Sequence, residues 1–346
     1  MSNFISLLSS LQIKIDLKFK ESNLFLILCG SSMSFMENQV LGYQSPLYGR
    51  RTAQFKIKPF TFFESIDFHK NFDIYDKAII YGITGGIPQY LAQIDDNKDL
   101  KTNIIDNFLN PNSYMFEEPL TLLKQELREP QMYNEIITAI ANGSSKLNEI
   151  STKTKMETSA CNKYLIILSS LGIVKKEYPM LNENSKKTIY RLEDSMFRFW
   201  YKFIPENVSL ISRGAINRVY NRIEGQIPSF MGEVFEEICK QYIWKENIEE
   251  KLEFLFHKAG RWWGKNLEQE IDIIACDDNS AIFCECKWTN AQVTQKIIDG
   301  LVEKSLMFNF KEKYFYLFSK SGFSTECVKN LGKNVKLIEF KDMVQV

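Results

Sequence analysis

The sequence predicts an α/β chain built from several domains, and three features support this. Its 346 residues exceed the usual size of one domain. The stretch 229–346 alternates strand and helix patterns and contains a tight hairpin between 271 and 288. The stretch 130–194 contains three helix-period patterns followed by two short strands. Hydrophobic residues make up 45% of the chain, which supplies enough apolar material for more than one core.

Charge and cysteine content narrow the class of protein. The 43 Lys and Arg residues balance 43 Asp and Glu residues, so any contact with nucleic acid is expected to be a local patch. Seven cysteines without a C-x-x-C pair are typical of a reduced intracellular protein. The only histidines, His69 and His257, leave almost no material for a histidine metal site. Neither a signal peptide nor an apolar run of membrane-spanning length is present, so we expect a cytoplasmic protein without membrane contact.

Three motifs occur in order in the first ninety residues. The apolar run 23–29 ends in Gly30, Ser31 and Ser32 and predicts a buried strand. The loop Gly49-Arg50-Arg51 follows, and the segment 82–90 has the glycine and proline pattern of a turn.

Together these motifs resemble the second half of the archaeal-type AAA+ (STAND-like) ATPases. The resemblance implies that 1–60 is the remnant of an ATPase core and 61–129 its helical lid. It also implies that Ser31, Ser32 and Arg50 occupy nucleotide-sensing positions. The phosphate-binding loop of that family, G-x-x-x-x-G-K-[ST], and its acidic Mg²⁺ strand are absent from the sequence. We therefore expect a truncated, split or wrongly started family member that binds ATP poorly and does not hydrolyse it alone.

The segment 130–194 resembles a winged helix. Its helices are predicted at 132–141, 146–152 and 157–171, and its β-wing at 173–177 and 188–192. The exposed part of the third helix is barely basic, which weakens the case for base readout. The more plausible phosphate contacts are the wing lysines, Lys175, Lys176, Lys186 and Lys187. The alternative is a module that packs or contacts protein.

The hairpin carries the acidic residues of the candidate site. Its arms, 271–275 and 281–288, are apolar or alternating, and the segment 276–280 between them is turn material. A symmetric turn pairs Asp272 with Glu285 and Glu270 with Lys287, and places all four side chains on one face. Opposed side chains lie about 5 Å apart, so two carboxylates there repel unless a cation separates them.

Mg²⁺ is the cation that this arrangement favours. It accepts one or two carboxylates, keeps several waters and binds a substrate phosphate. Lys287 lies on the same face, where it can orient an attacking water. The alternative interpretation is a surface hairpin with cross-strand ion pairs, Glu270 to Lys287 among them.

The arrangement resembles the core of PD-(D/E)XK nucleases. The helix that begins near Gly232 carries Gly232-Glu233-Val234-Phe235-Glu236, which matches a G-x-x-F-E motif, so the resemblance implies that Glu236 reaches the metal. The elements around the hairpin also follow the nuclease order: a strand at 252–256, a helix at 290–308, a strand at 314–318, a helix at 324–331 and a last strand at 335–340.

The sequence thus predicts a partial ATPase module with its lid, a winged helix at 130–194, a helical connector at 195–228 and a nuclease-like domain at 229–346. The leading function is Mg²⁺-dependent hydrolysis of DNA, with Asp272 and Glu285 as metal ligands, Lys287 positioning water and Glu236 assisting. Its rival is a non-catalytic DNA-binding or assembly module that works with a partner ATPase chain or by self-association. A third hypothesis is a gene fragment without function.

Overall fold

The computed structural model describes residues 2–30, 36–182, 187–264, 269–329 and 331–344. Within them the longer helices are Ser2–Leu17, Ile74–Thr84, Leu100–Phe108, Tyr114–Glu126, Pro130–Ala141, Leu147–Thr154, Thr158–Ser170, Ser195–Phe203, Ile216–Glu224, Ile227–Ile248 and Gln295–Ser305. Shorter helical turns are Phe19–Glu21, Met36–Val40, Phe62–Ser65, Pro88–Leu91, Pro205–Asn207, Val208–Ile211, Thr325–Lys329 and Phe340–Met343. The strands are β1 Val174–Glu177, β2 Ile189–Leu192, β3 Lys258–Trp263, β4 Glu270–Cys276, β5 Ser280–Lys287, β6 Glu312–Ser319 and β7 Val335–Glu339. The structure is mixed α/β, as predicted.

The predicted strand at the apolar run 23–32 is wrong over the residues that the structure describes. Residues 23–30 form no strand, and Phe25 and Ile27 are 84% and 70% exposed. A strand needs a neighbouring strand to pair its N–H and C=O groups. Among the described residues the larger sheet is built from 258–339, and no strand lies beside this run.

The predicted turn at 82–90 is confirmed. Gly85 ends the helix Ile74–Thr84 with a φ of 66°. Gly86 follows with a φ of 71°, and a Cβ there would lie 2.1 Å from the Phe60 carbonyl oxygen, so glycine is required. Pro88 then begins the next helical turn.

The segment 130–192 forms a helix–hairpin unit of three helices and the antiparallel pair β1–β2. The sequence placed these five elements to within about two residues. The Tyr190 N–H donates to the Ser145 carbonyl oxygen at 2.7 Å, which ties β2 to the turn between the first two helices. The core of the unit is apolar and buried, and includes Ile136, Ile150, Leu165, Val174 and Leu192.

The helix Ser195–Phe203, here called the aromatic helix, lies at the centre of the largest core. Its buried Phe199 packs against Phe108 with ring centroids 4.7 Å apart and against Phe230 at 5.5 Å. The Trp200 indole N–H donates to the Phe116 carbonyl oxygen at 2.8 Å. That core extends from Phe62 to Met343, so the helical segments, the helix–hairpin unit and one face of the larger sheet pack together.

The larger sheet has the order β3-β4-β5-β6-β7. β3 runs antiparallel to β4 and β4 runs antiparallel to β5, whereas β6 runs parallel to β5 and β7 runs parallel to β6. The helix Ile227–Ile248, here called the long helix, packs on one face through Val234, Phe235 and Ile238. The helix Gln295–Ser305, here called the outer helix, packs on the other. Cys284 and Cys286 lie buried on the long-helix side, as strand alternation requires of residues that flank Glu285.

The predicted strand at 252–256 is wrong, since the first strand of the sheet begins at Lys258. Asn247, near the end of the long helix, holds Phe256 by accepting from its N–H at 2.9 Å and donating to its carbonyl at 3.0 Å. These backbone groups are therefore unavailable for pairing with a strand.

Candidate active site

The hairpin has the register that the sequence predicted. Ile273 pairs with Cys284, and the register runs unbroken to Cys276 and Ala281. Asp272 and Glu285 stand one position beyond the last of these pairs, and each is only 7% exposed. The arrangement of β4 and β5 thus brings two buried carboxyl groups to one end of the hairpin.

Two lysines hold the Glu285 carboxylate. Lys287 Nζ lies 2.5 Å from Glu285 Oε1, and Lys304 Nζ of the outer helix lies 3.4 Å from Oε2. Burial by itself would lower the pKa of Lys287, but the Glu285 carboxylate outweighs it and the pKa is raised. The Lys287 ammonium group therefore lies beside the Asp272 and Glu285 carboxyls, here called the carboxyl site, in its charged form.

The pKa of Asp272 is strongly raised in the site. Burial raises its pKa to about 7, with further contributions from Glu236 and Glu285, although the Cys286 N–H donates to Asp272 Oδ2 at 2.7 Å and acts the other way. The sequence predicted repulsion between the two carboxylates, and Glu285 does contribute, but burial is the larger cause of the raised pKa. A divalent cation would replace the proton and remove this penalty.

Glu236 comes near the hairpin, since its charge acts on Asp272. Burial raises the pKa of Glu236, Glu233 and Glu270 add to this, and the guanidinium groups of Arg261 and Arg191 oppose it. The structure thus brings Asp272, Glu285 and Lys287 together at the open end of the hairpin, with Glu236 close enough for its charge to act on Asp272.

The interpretation of a Glu270–Lys287 ion pair is wrong. Glu270 is bound by Arg261 of β3, whose Nη2 donates to Glu270 Oε2 at 2.8 Å, and Lys287 is bound to Glu285. Glu285 lies two residues from Lys287 on the same face of β5, so it competes with Glu270 for the Lys287 ammonium group. Sequence reasoning missed Arg261 and Lys304, because their positions depend on the bulge in β3 and on the packing of the outer helix.

The described residues contain no group of three or more His, Cys, Asp or Glu side chains placed to hold a metal ion. The carboxyls of Asp272 and Glu285 remain a pair of hard oxygen donors. Such a pair is sufficient for Mg²⁺, because that ion keeps most of its waters and takes one or two protein carboxylates. The donor set therefore fits Mg²⁺ and does not fit a fully protein-ligated metal.

The positions that the resemblance assigns to nucleotide sensing, Ser31, Ser32 and Arg50, lie in the N-terminal part. Arg50 binds Asp16 through two nitrogens, with Nε–Oδ1 at 2.9 Å and Nη2–Oδ2 at 2.8 Å, and donates to the Pro46 carbonyl at 3.0 Å. Ser31 and Ser32 fall outside the described residues. The structure thus shows Arg50 in an intramolecular ion pair.

The wing lysines differ in their surroundings. Lys175 lies 3.5 Å from Glu177, and the Lys176 ammonium lies 5.5 Å from the centre of the Tyr178 ring. Lys186 falls outside the described residues, and the Lys187 carbonyl accepts from the Trp263 indole N–H at 2.9 Å. The segment between β1 and β2 also contacts β3 through the Met180 N–H, which donates to the Arg261 carbonyl at 2.8 Å. The wing therefore packs on the larger sheet beside Arg261.

Comparison with known proteins gives the family. The chain is similar to the uncharacterized protein MJECL04 of Methanocaldococcus jannaschii, with 33% identity over 326 residues, which span 91% of this chain and 72% of that protein. A family model described as an ATPase domain predominantly from Archaea matches residues 2–94. The chain belongs to this archaeal-type ATPase family. The part of the resemblance that is thereby confirmed is membership of an archaeal-type ATPase family.

A second family model, described as archaeal and bacterial proteins of unknown function, matches residues 200–298 of this ATPase-family chain. That stretch contains the four candidate site residues, Glu236, Asp272, Glu285 and Lys287. No solved structure matches the chain. In the parts of the chain that the structure describes, no helix is both long and apolar enough to span a membrane.

Proposed function

We propose that residues 229–346 of this ATPase-family chain form a PD-(D/E)XK-type domain that hydrolyses DNA phosphodiester bonds with Mg²⁺. The observation that carries the proposal is the meeting of Asp272, Glu285 and Lys287 at one end of the β4–β5 hairpin, with Glu236 nearby. Two buried carboxyls and a charged lysine in this arrangement have the chemistry of a metal-assisted hydrolase.

The topology of the sheet supports the proposal. A long helix precedes an antiparallel β3-β4-β5 unit, and helices then connect β5 to the parallel strands β6 and β7. This order resembles the PD-(D/E)XK core that the sequence suggested. Likewise, three helices followed by an antiparallel hairpin in the helix–hairpin unit support a winged-helix assignment.

Asp272 and Glu285 would hold the Mg²⁺, which supplies charge to stabilise the phosphoryl oxygens and acidifies a bound water. Lys287, which is paired with Glu285, would lie on the same face as the ion, where its ammonium group could orient the attacking water and offset charge on the phosphate. Lys304 keeps Glu285 in place from the outer helix.

The DNA-binding part of the proposal rests on the wing lysines, Lys175, Lys176, Lys186 and Lys187. Because the wing packs beside β3, a duplex held by these lysines would pass near the carboxyl site. The neutral net charge of the chain fits a local contact of this kind.

A cleavage assay with linear and circular DNA tests the proposal. We expect the full chain to cut DNA with Mg²⁺ and not with EDTA. Asp272→Asn should lower the rate by about 100-fold or more, because it removes a metal ligand. Asp278→Asn makes the same chemical change in the exposed turn of the same hairpin and should leave the rate unchanged. A chain that cleaves equally well with Asn at 272 would refute the assigned site.

Lys287→Ala separates the role of the lysine from that of the ligands. We expect Mg²⁺ affinity to be retained or increased, because Glu285 loses a competing cation. The cleavage rate at saturating Mg²⁺ should fall by about 100-fold, since a water-orienting group acts in the transition state. Loss of Mg²⁺ affinity in this variant would instead indicate a structural role.

A second candidate function is an assembly module that works with a partner ATPase. It is favoured by the run 24–28, five consecutive apolar residues that are 43% to 84% exposed. A strand that is apolar on both faces is typical of the interior of a parallel sheet, so this run fits the ATPase core of a partner chain. Ile27→Lys should abolish binding to an ATPase chain that carries the phosphate-binding loop, whereas Lys20→Gln nearby should not. Equal binding by wild type and Ile27→Lys would contradict this function.

A further inference from the structure

A cavity of about 230 Å³ lies outside the carboxyl site, between the helix–hairpin unit and the long helix. Its walls come from the turn 143–145, from β2, from the aromatic helix and from the first turns of the long helix. Residues from elements far apart in sequence therefore converge on it, which is typical of a ligand site between packed modules.

Positive charge dominates the lining. Arg191, Arg198 and Lys202 face the cavity together with a single acid, Glu233. Glu233 is shared, because it contacts Arg191 Nη2 and lies 3.4 Å from Arg198 Nη1. Arg191 is also 3.7 Å from Glu177. Glu233 and Glu177 thus pair with the two guanidinium groups, and neither of these carboxylates forms an ion pair with the third cation of the lining.

Lys202 is that third cation. It forms no ion pair within 4 Å with any residue in the described ranges. Burial lowers its pKa, Glu233 opposes the effect, and the positive charge of Arg198 adds to it. A partly buried ammonium group without its own anion is stabilised when an anion binds beside it.

Arg198 also keeps unused donor capacity. Its Nη2 donates to Ser195 Oγ at 3.2 Å, but its Nε is buried and has no hydrogen-bond partner in the described structure. The guanidinium lies over the Phe230 ring, 5.5 Å from its centre. Its planar fork of N–H donors suits the oxygens of a phosphate.

The other residues that line the cavity indicate which chemical groups the ligand contains. The hydroxyl groups of Ser144, Ser145 and Ser229 can donate to phosphate oxygens. Ile140, Leu192 and Phe230 supply an apolar wall. The volume is below the usual range for a drug-sized molecule, about 300–1,000 Å³, and so accommodates a phosphate with one small organic group.

We propose that this cavity binds the phosphate of a phosphomonoester, held by Lys202 and Arg198 against the Phe230 ring. The phosphate comes from a small free compound or from the terminal phosphate of a nucleic acid strand. Neither Asp272 nor Glu285 lines this cavity, so phosphate binding here does not depend on the nuclease proposal.

Calorimetric titration of the full chain with phenyl phosphate tests the site. We expect saturable binding by wild type and at least about tenfold weaker binding by Lys202→Gln, since a charge-assisted contact is lost. Lys240→Gln makes the same change on the long helix outside the cavity, where Lys240 pairs with Glu237, and should bind like wild type. Ser144→Glu places a negative charge in the lining and should abolish binding, which gives a second test if Lys202→Gln folds poorly.

Competition identifies the source of the phosphate. If a 5′-phosphorylated oligonucleotide displaces phenyl phosphate and its 5′-hydroxyl counterpart does not, the ligand is a nucleic acid end. If neither displaces it, the ligand is a small phosphomonoester. Absence of saturable binding by wild type, or equal affinities of wild type, Lys202→Gln and Ser144→Glu, would overturn the proposal.

Discussion

The buried carboxyl of Asp272 ties the stability of this chain to pH. Burial, with Glu236 and Glu285 adding to it, raises the pKa of Asp272 from 3.8 to about 7. The folded protein therefore holds a proton that the unfolded chain releases, over the range between these two values. Because the folded state binds more protons there, the free energy of unfolding falls as pH rises through this range.

Asp272→Asn should remove this pH dependence. At pH 8 without divalent cations, we expect the variant to be more stable than wild type by up to about 4 kcal/mol, since no charge is buried. Near pH 4 the advantage should vanish, because Asp272 is then protonated in the wild-type folded state. Urea unfolding at both pH values measures the difference, and Asp278→Asn is the control. An advantage of the same size at both values would contradict the raised pKa.

The residues of the site differed in how well the sequence predicted them. The register of the hairpin that carries Asp272 and Glu285 was predicted correctly because the turn between its strands fixes that register, and register decides which side chains share a face. The sequence did not predict the contacts of Lys304 and Arg261, since these depend on how the outer helix and the bulge in β3 pack. The pairing of a hairpin is determined within one short segment, whereas these contacts join segments that are distant in the sequence or depend on an irregular strand.

At the scale of elements, the β4–β5 hairpin was predicted correctly and the strand at 23–30 was not, because only the hairpin contains its own pairing partner. The hairpin contains both of its own strands, so apolar alternation and a turn were enough to predict it. The run 23–30 has strand-like composition, but a strand forms only beside another strand. None lies beside it in the described structure, and its apolar side chains are exposed instead.

The wing allows a test at this scale. If its lysines contact phosphates, replacing Lys186 and Lys187 with Ala should weaken binding to all DNA sequences alike. The slope of log affinity against log salt should become shallower by about one unit per lost contact. Fluorescence anisotropy in a salt series measures both effects, with Lys70→Ala as a distant control. Unchanged affinity and slope would favour a wing that serves only to pack on β3.

At the scale of the whole molecule, one apolar core joins parts that the sequence divided into separate domains. It runs from Phe62 to Met343 and includes the aromatic helix, the helix–hairpin unit and the long-helix face of the sheet. The wing adds polar contacts to β3 through Met180 and Lys187. The helix–hairpin unit is therefore fixed relative to the carboxyl site, which suits a module that positions a substrate for that site.

Family membership has a consequence for nucleotide binding. The sequence contains no G-x-x-x-x-G-K-[ST] loop, whose backbone amides and lysine hold the β- and γ-phosphates of ATP. We expect no ATP turnover by this chain alone and at best very weak binding. Calorimetric titration with Mg-ATP is the check, and micromolar affinity would show that another part of the chain holds the phosphates.

The most direct test of the central claim, a Mg²⁺ site at Asp272 and Glu285, is a set of thermal melts at pH 8. Mg²⁺ should raise the melting temperature of wild type, because the positive charge of the ion offsets the free-energy cost of burying two negatively charged carboxyl groups. It should leave Asp272→Ala unchanged, and Asp278→Ala in the turn should respond like wild type. If Mg²⁺ stabilises wild type and Asp272→Ala equally, the two carboxyls do not form a metal site.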